Sequence, residues 1–179
     1  MRLYRIAFKS NSQGHGFWPV CREHGIAAIG YREFLGIDLS QAGLSDRDTI
    51  PRGLLRRWDG LSGPQKGSLR HLVCDFAEGD ILYVKSGLRI VGKGRVLGGY
   101  YFDPNTPVCL GDSKWEHCVP VKWDPAFQEI EILLESEPTA ILWLRGERLS
   151  RFEQALRRTE SHRTNGPPGA SDRCRGRED

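Results

Sequence analysis

The spacing of glycines in the segment RIVGKGRVLGGYYF, residues 89–102, constrains the fold of this chain more than any other feature. Alternating apolar residues predict a β-strand here, and four glycines interrupt it: Gly92, Gly94, Gly98 and Gly99. A dinucleotide-binding loop needs a strand before its glycines and a helix after them, so that the pyrophosphate meets a helix N-terminus. No helical pattern follows, because the strand continues through Tyr100, Tyr101 and Phe102. The segment therefore predicts a bent barrel strand rather than a phosphate-binding loop.

The other segments predict a small α+β domain. Apolar alternation or short apolar runs predict strands near residues 3–9, 26–31, 81–86 and 117–123, with two later runs, IEILLES and AILWL. The segment PQKGSLRHLVCDF predicts the clearest helix, with an apolar stripe formed by Leu69, Leu72, Val73 and Phe76. Ser150 and Glu153 are spaced as a capping box for a last helix, RFEQALRR. Several short strands that each bury one face predict a partly closed antiparallel or mixed β-barrel with peripheral helices.

Length and composition indicate how many domains the chain forms and in which compartment it is expected. The chain has 179 residues, and we expect a single domain over residues 1–159. Residues 160–179 are polar and free of periodicity, which predicts a flexible tail. The formal net charge is only +3, so any phosphate binding must come from a local patch. The absence of a long apolar run, of a signal-peptide pattern at residues 1–10 and of paired cysteines predicts a cytoplasmic protein with no membrane partner.

Patterns for catalysis and metal binding are weak. Lys66 in GLSGPQKGS is followed by glycine, so the P-loop spacing fails, and there is no G-x-S-x-G nucleophile elbow. Two cysteines and two histidines could together ligate a metal: Cys21, His24, His117 and Cys118. Adjacent residues on a strand point to opposite faces, so core cysteines and surface histidines are the favoured interpretation. We therefore expect no catalytic residue, no metal and no cofactor in this chain.

Large aromatic residues lie at the ends of predicted elements. They are Trp18, Tyr31, Tyr100, Tyr101 and Trp115, whereas Trp143 lies inside an apolar run. Packing in the core is the ordinary explanation for any one of them. Their number, and the basic residues Lys9, Lys114 and Lys122, favour a slot that stacks a base.

The order of several segments resembles the EVE/YTH branch of the PUA-like superfamily. These segments are AFKSNS, AIGY, F-x-x-GD-ILYV-x-SG-x-x-IVG-x-G-x-V-x-GGYYF and SKWEHCVPVKW, and they cover most of residues 1–124. The chain is most similar to the modified-DNA-reading domains of modification-dependent restriction systems of type IV, McrB-like organisation. Residues 32–68 match poorly, and the tail does not match. The resemblance implies a PUA-like, EVE-like barrel that extrudes one nucleotide from the duplex and holds its modified base in an aromatic cage.

The resemblance also implies roles for individual residues. Lys9 and Ser10 take the place of a lysine–serine pair that precedes the pocket in YTH relatives. Tyr31 is nearest to one cage aromatic, and Trp115, which precedes a strand ending in Trp123, matches another. The implied base-binding residues are Tyr31, Trp115, Trp18, Ser10, Asn11 and Asp38. The lysines expected to hold phosphate are Lys9, Lys114 and Lys122.

Three functions stay open at the level of sequence. The favoured one is a DNA-binding module that recognises a modified base, either a methylated or hydroxymethylated cytosine or N6-methyladenine, for modification-dependent restriction and defence. Its nuclease or NTPase effector is then expected on another chain or domain. The second is a module of the same fold that binds modified RNA. The third is a hydrolase or nuclease of a related barrel fold, which requires an acid, base or nucleophile beside the slot.

Overall fold

The computed structural model describes residues 1–7, 17–110, 113–132 and 140–164. Within these residues the α-helices are α1 (Phe17–Glu23), α2 (Arg52–Gly60), α3 (Gly63–Arg70) and α4 (Gly146–Thr164). The strands are β1 (Leu3–Ala7), β2 (Ile26–Ile29), β3 (Ile81–Ser86), β4 (Arg89–Val96), β5 (Tyr101–Phe102), β6 (Cys109–Leu110), β7 (Ser113–Lys114), β8 (His117–Trp123), β9 (Ile130–Glu131) and β10 (Ile141–Leu144). Short 3-10 turns occupy Arg32–Phe34 and Arg47–Thr49, and a π-helical turn occupies His71–Asp75.

One mixed sheet organises the domain, with the strand order β10-β1-β3-β4-β8-β2. β1 and β3 are parallel, and the other neighbours along this order are antiparallel. Parallel neighbours need a crossover connection, and here the crossover contains β2 and helices α1 to α3. β5 also pairs with β8, β9 pairs with β4, and β6 pairs with β7 in a small second sheet. The predicted α+β class, a partly closed mixed barrel with peripheral helices, is confirmed.

Two apolar clusters lie on the two faces of this sheet. Leu82 and Val84 of β3 belong to the larger cluster, which includes buried residues of α1, α2 and α3. Tyr83, between them, belongs to the smaller cluster with Phe152 of α4. This is the period of two that a β-strand imposes on its side chains. Helices therefore cover both faces of the sheet.

The helix predicted around residues 64–76 is present, with a sharper start than expected. Ser62 and Gln65 form a capping box, in which Ser62 Oγ accepts from Gln65 N at 3.4 Å and Gln65 Oε1 accepts from Ser62 N at 2.9 Å. Leu69, Leu72 and Phe76 of the predicted stripe are buried in the larger cluster. The helical chain continues beyond α3 as the π-helical turn.

The capping box predicted at Ser150 and Glu153 is wrong. α4 begins at Gly146, whose φ of +53° turns the chain directly after β10. Ser150 therefore lies inside the helix, where its Oγ donates to the Gly146 carbonyl at 3.4 Å. α4 runs to Thr164, beyond the domain boundary expected at residue 159, and residues 165–179 of the predicted tail lie outside the described residues. None of the described helices has the length and apolar character that a membrane span needs.

β4 shows why its glycines are needed. A Cβ on Gly92 would lie 2.3 Å from the Trp18 ring, and a Cβ on Gly94 would lie 2.5 Å from the Trp123 ring. The glycines therefore let two indoles pack directly on the strand backbone. A bulge next to Gly92 places both Val91 and Gly92 opposite Val84 of β3. Gly92 and Gly94 therefore lie inside an irregular strand, as predicted, but the strand ends at Val96, and Tyr101 and Phe102 form the separate strand β5.

We expect Gly92→Ala to lower the free energy of unfolding by about 1–3 kcal/mol, because the added methyl group overpacks the Trp18 ring. Gly53→Ala in α2 is the matched control, since a Cβ there meets nothing within 4 Å. That control should raise stability by about 0.5–1 kcal/mol through the lower backbone entropy of the unfolded chain. Urea unfolding followed by circular dichroism measures both. Equal effects of the two substitutions would show that Gly92 is not a packing position.

Candidate nucleic-acid interface

An aromatic stack lies where α1 meets the end of β2. Phe17, the first residue of α1, stacks on Trp115 with ring centroids 3.8 Å apart and planes 28° apart. Gly30 backs the indole, because a Cβ at that position would lie 2.6 Å from Trp115 Cδ1. Phe17 is buried, whereas Trp115 is only half-buried. We call Phe17, Gly30 and Trp115 the aromatic platform. It presents a fixed indole at the protein surface.

Tyr31 follows the platform directly in the chain. Its backbone is extended, with φ −125° and ψ 127°, and it precedes the 3-10 turn Arg32–Phe34. Burial raises the pKa of Tyr31, and a hydrogen bond with Ser68 of α3 opposes part of that rise. The Trp115 ring contacts Phe17 and Gly30, and Tyr31 follows Gly30 in the chain. The joint role of the two predicted cage residues as cage walls stays a prediction.

Trp18 has a packing role in this structure. Its indole lies on Gly92 and meets the Trp123 ring edge to face, with centroids 4.7 Å apart and planes 88° apart. Trp123 Nε1 in turn donates to the Cys21 carbonyl at 2.9 Å. These contacts fix α1 on β4 and β8, and so position Phe17 for the platform. A second role for Trp18 as a wall of the base slot stays a prediction.

A buried polar network fixes the loop that contains Asp38. The Leu39 amide donates to Tyr100 Oη at 3.1 Å, and Tyr100 Oη lies 3.0 Å from His117 Nδ1. Glu116 adds a second anchor, because its Oε2 accepts from the Gly36 amide at 2.5 Å. Asp38 is exposed, and its Oδ1 accepts from the Ser40 amide at 2.9 Å within the same loop. The loop is therefore attached to β8 beside the platform.

The network holds His117 in the core. The Tyr100 hydroxyl accepts from the Leu39 amide and also bonds His117 Nδ1. His117 is 1% exposed, and burial lowers its pKa, while the Phe34 carbonyl and nearby carboxylates oppose that shift. Among the described atoms, Nε2 has no partner with full hydrogen-bond geometry. The sequence favoured a surface histidine here, and that interpretation is wrong for His117, because its partner Tyr100 is distant in the chain.

The predicted phosphate-binding lysines are dispersed. Lys114 precedes Trp115, and its Nζ donates to the Pro104 carbonyl at 2.7 Å. Lys122 is exposed on β8, opposite Arg95 of β4, so two cations stand side by side on that sheet face. Lys9, and the base-pocket residues Ser10 and Asn11, lie outside the described residues. Of the two predicted lysines that the structure describes, Lys114 is the one adjacent to the platform residue Trp115 in the chain.

The cysteines considered as metal ligands are core residues. Cys21 and Cys118 are buried, and burial raises the pKa of each thiol to about 12. His24 is exposed, and His117 is held by Tyr100. In the part of the chain that the structure describes, no three such residues gather into a group able to hold a metal ion.

A family model described as "Domain of unknown function (DUF8426)" matches residues 4–138. This chain belongs to the DUF8426 family. A search of curated proteins finds no match to it. Among solved structures, the YTH domain of the Zygosaccharomyces rouxii MRB1 protein, in complex with N6-methyladenosine RNA, is similar with a TM-score of 0.42 and 11% sequence identity over 84% of each chain. Values this low leave the ligand of the DUF8426 domain to be argued from its own residues.

The folded unit of this DUF8426 protein extends beyond the family match. β10 pairs with β1 along Leu3 to Ile6, although it begins at Ile141. Phe152 of α4 is 1% exposed and belongs to the smaller cluster. The family match ends at residue 138. It therefore leaves out β10, which adds the edge strand of the sheet, and α4, which covers its second face.

We expect the free energy of unfolding of the DUF8426 domain to decrease as pH falls below about 6.5. An unfolded histidine binds a proton near pH 6.5, whereas burial lowers the pKa of His117 in the folded state. The unfolded state then binds more protons between those two values, so stability falls with pH across that window. His117→Gln should flatten the profile, and His24→Gln at an exposed site should not. Thermal unfolding between pH 8 and 5 measures this, and parallel profiles for wild type and His117→Gln would contradict it.

Proposed function

We propose that this chain is a nucleic-acid-binding module that recognises a modified base, with DNA carrying that base as its partner. The observation that carries the proposal is the stack of Phe17 on Trp115 at 3.8 Å. A half-buried indole held in place before a ligand arrives is suited to stack an extruded base. Lys114 beside it supplies a cation for the adjoining phosphate. The resemblance of the segment order to EVE and YTH domains supports the same function.

The energetics of extrusion favour a pocket with two walls. Flipping a base out of a duplex costs a few kcal/mol, and stacking on an aromatic side chain returns ~1–3 kcal/mol per base. Trp115 is the first wall that we assign. Tyr31, which follows Gly30 in the chain, is the second, and two stacking contacts together offset the cost of extrusion. Trp18, Ser10, Asn11 and Asp38 complete the proposed pocket, and Lys9 and Lys122 are proposed to bind phosphate with Lys114.

Such a module distinguishes a modified base from an unmodified one only modestly. One methyl group in an apolar pocket is worth about 1–3 kcal/mol, or roughly 10–200-fold in affinity. The net charge of +3 implies weak non-specific binding to a phosphate backbone. A defence system would then gain affinity from avidity or from a linked nuclease or NTPase. We propose that this chain supplies base recognition in the cytoplasm and that the effector lies elsewhere.

The burial of His117 argues against a hydrolase that uses this slot. A general acid or base must come within hydrogen-bond reach of its substrate. Of the histidines that the structure describes, His117 is the nearest in the chain to Trp115, and it is 1% exposed and bonded to Tyr100. The RNA alternative differs from the DNA proposal in one group, the 2′-hydroxyl. Affinities for DNA and RNA ligands of matched sequence therefore distinguish the DNA proposal from the RNA alternative.

We expect one modified duplex to bind roughly 10–200-fold more tightly than its unmodified counterpart. The panel contains DNA duplexes that differ only in 5-methylcytosine, 5-hydroxymethylcytosine, N6-methyladenine or no modification, and RNA oligonucleotides of matched sequence with and without N6-methyladenosine. Fluorescence anisotropy measures each affinity at one salt concentration. Equal binding of all modified and unmodified DNA would refute base recognition in DNA, and tighter binding of modified RNA would select the RNA alternative.

We expect Tyr31→Ala and Trp115→Ala each to weaken binding of the preferred modified duplex by about 1–3 kcal/mol. Unmodified duplex should be nearly unaffected, because it is bound mainly through its backbone, so the ratio of the two affinities falls towards one. Lys114→Ala should instead weaken both duplexes alike and lower the salt slope by about one unit. The measurement is anisotropy titration at several salt concentrations, after circular dichroism confirms folding.

Two matched controls sharpen that comparison. Tyr31→Phe keeps the ring and removes only the hydroxyl that bonds Ser68, so it should keep the wild-type ratio. Lys66→Ala removes the same charge as Lys114→Ala from α3, where Lys66 Nζ lies 6.0 Å from the Trp58 ring centroid. Retention of the wild-type ratio by folded Tyr31→Ala and Trp115→Ala would show that both aromatics serve only packing.

A further inference from the structure

A second feature lies at the β10 edge of the sheet, outside every residue assigned above. It is a cavity of about 120 Å³ between the end of α3, β10 and the start of α4. Its lining consists of Arg70, His71, Leu142, Trp143, Arg145 and Arg148. The lining thus combines three guanidinium groups, an imidazole and an indole, and no carboxylate belongs to it among the described residues. We call it the arginine cavity.

The guanidinium groups are held by the fold. Arg145 lies over the Trp143 ring at 4.7 Å from its centroid, and Arg2 lies at 5.5 Å from the same centroid. An arginine stacked on an aromatic ring keeps its N–H edge for an anion, and this geometry favours bidentate binding. His71 is fixed by Asp75, whose Oδ2 lies 2.6 Å from His71 Nδ1. Arg145 and His71 are therefore oriented before a ligand binds.

Charge makes the cavity a site for anions. Guanidinium groups that line one small volume attract an anion. Asp75 compensates Arg70 only weakly, since its Oδ2 lies 3.8 Å from Arg70 Nε. Arginine is the side chain whose planar fork matches phosphate oxygens. The lining therefore points to a phosphate group.

The size and charge of the arginine cavity together indicate which kind of phosphate group it binds. A volume of about 120 Å³ is smaller than the ~300–1,000 Å³ clefts that enclose whole small molecules, so the cavity takes one group of a larger ligand. A phosphomonoester carries about −1.5 to −2 at pH 7, whereas a phosphodiester carries one negative charge. Several guanidinium groups at one site match the higher charge. We propose that the arginine cavity binds a phosphomonoester, supplied either by the phosphorylated end of a nucleic-acid strand or by a free mononucleotide.

Helix α3 connects the cavity to its surroundings. The Ser68 hydroxyl of α3 donates to the Pro64 carbonyl at 2.9 Å and accepts from the Ile141 amide of β10 at 3.0 Å. Ser68 precedes Arg70 by two residues, and Ile141 precedes Trp143 by two residues. This hydrogen bond therefore holds together the two elements that supply most of the lining.

The test uses the full chain and ligands that differ only in one phosphate. We titrate a short single strand with a 5′-phosphate, a 3′-phosphate or hydroxyl ends, and adenosine 5′-monophosphate against adenosine, by isothermal titration calorimetry. Phosphorylated ligands should bind at least about tenfold more tightly than their hydroxyl counterparts, the scale of one charge-assisted hydrogen bond. Arg145→Ala and Arg148→Ala should each remove that difference. Arg145→Lys keeps the charge and loses the fork, so it should retain only part of it.

Arg157→Ala is the matched control, because Arg157 lies on α4 away from the cavity and 3.8 Å from Glu153. It should keep the preference for phosphorylated ligands. A preference confined to the strand supports the strand end as the source, and an equal preference for the mononucleotide supports the free ligand. Absence of any preference, or a preference that survives both Arg145→Ala and Arg148→Ala, overturns the proposal. Binding of the hydroxyl-ended strand reports on the proposed function separately, so the two can fail independently.

Discussion

Indole rings packed directly on strand backbone are the contacts on which the rest of the structure depends. Trp18 occupies the space that a Cβ of Gly92 would fill, and Trp123 occupies the same space over Gly94. Trp123 also holds the Cys21 carbonyl of α1. Helix α1, β4 and β8 are thereby held at a distance that only glycine allows. A larger residue at either glycine would move α1, and with it Phe17.

The bulge beside Gly92 changes which face of the sheet the side chains of β4 take on its two sides. Val91 packs on the larger cluster, whereas Ile90 belongs to the smaller cluster under α4. A single inserted residue reverses the inward and outward order of side chains on one side of a bulge. β4 can therefore place Gly92 and Gly94 against the indoles that hold α1, and the side chain of Ile90 in the cluster under α4.

The two candidate surfaces use different chemistry and share helix α3. The aromatic platform presents an indole supported by Phe17, which suits a flat neutral base. The arginine cavity presents guanidinium groups stacked on Trp143, which suits a doubly charged phosphate. Ser68 contacts Tyr31 on one side and β10 on the other. A nucleic-acid ligand that engages both would be recognised through stacking at one point and through charge at another.

The sequence by itself determined the elements that depend on near neighbours. The strand through Gly92 and Gly94, the exclusion of a dinucleotide loop and the stripe of Leu69 and Leu72 follow from local periodicity, and the structure confirms them. The capping box at Ser62 was equally visible as S-x-x-Q, whereas the one assigned at Ser150 was wrong. There Gly146 starts the helix one turn earlier through a positive φ. Glycine permits such a turn without requiring it, so the sequence pattern alone did not decide between the two starts.

Only the tertiary structure decided which distant residues meet. Phe17 and Trp115 stack, Tyr100 bonds both His117 and the Leu39 amide, and Arg70 shares a cavity with Arg145. Sequence reasoning named Trp115 for its place before a strand, but it set Trp143 aside as part of an apolar run. Trp143 lies at the edge strand β10, where two arginines stack on its ring. The physical reason is that periodicity encodes which face a side chain takes, while strand order and crossover connections determine what that face contacts.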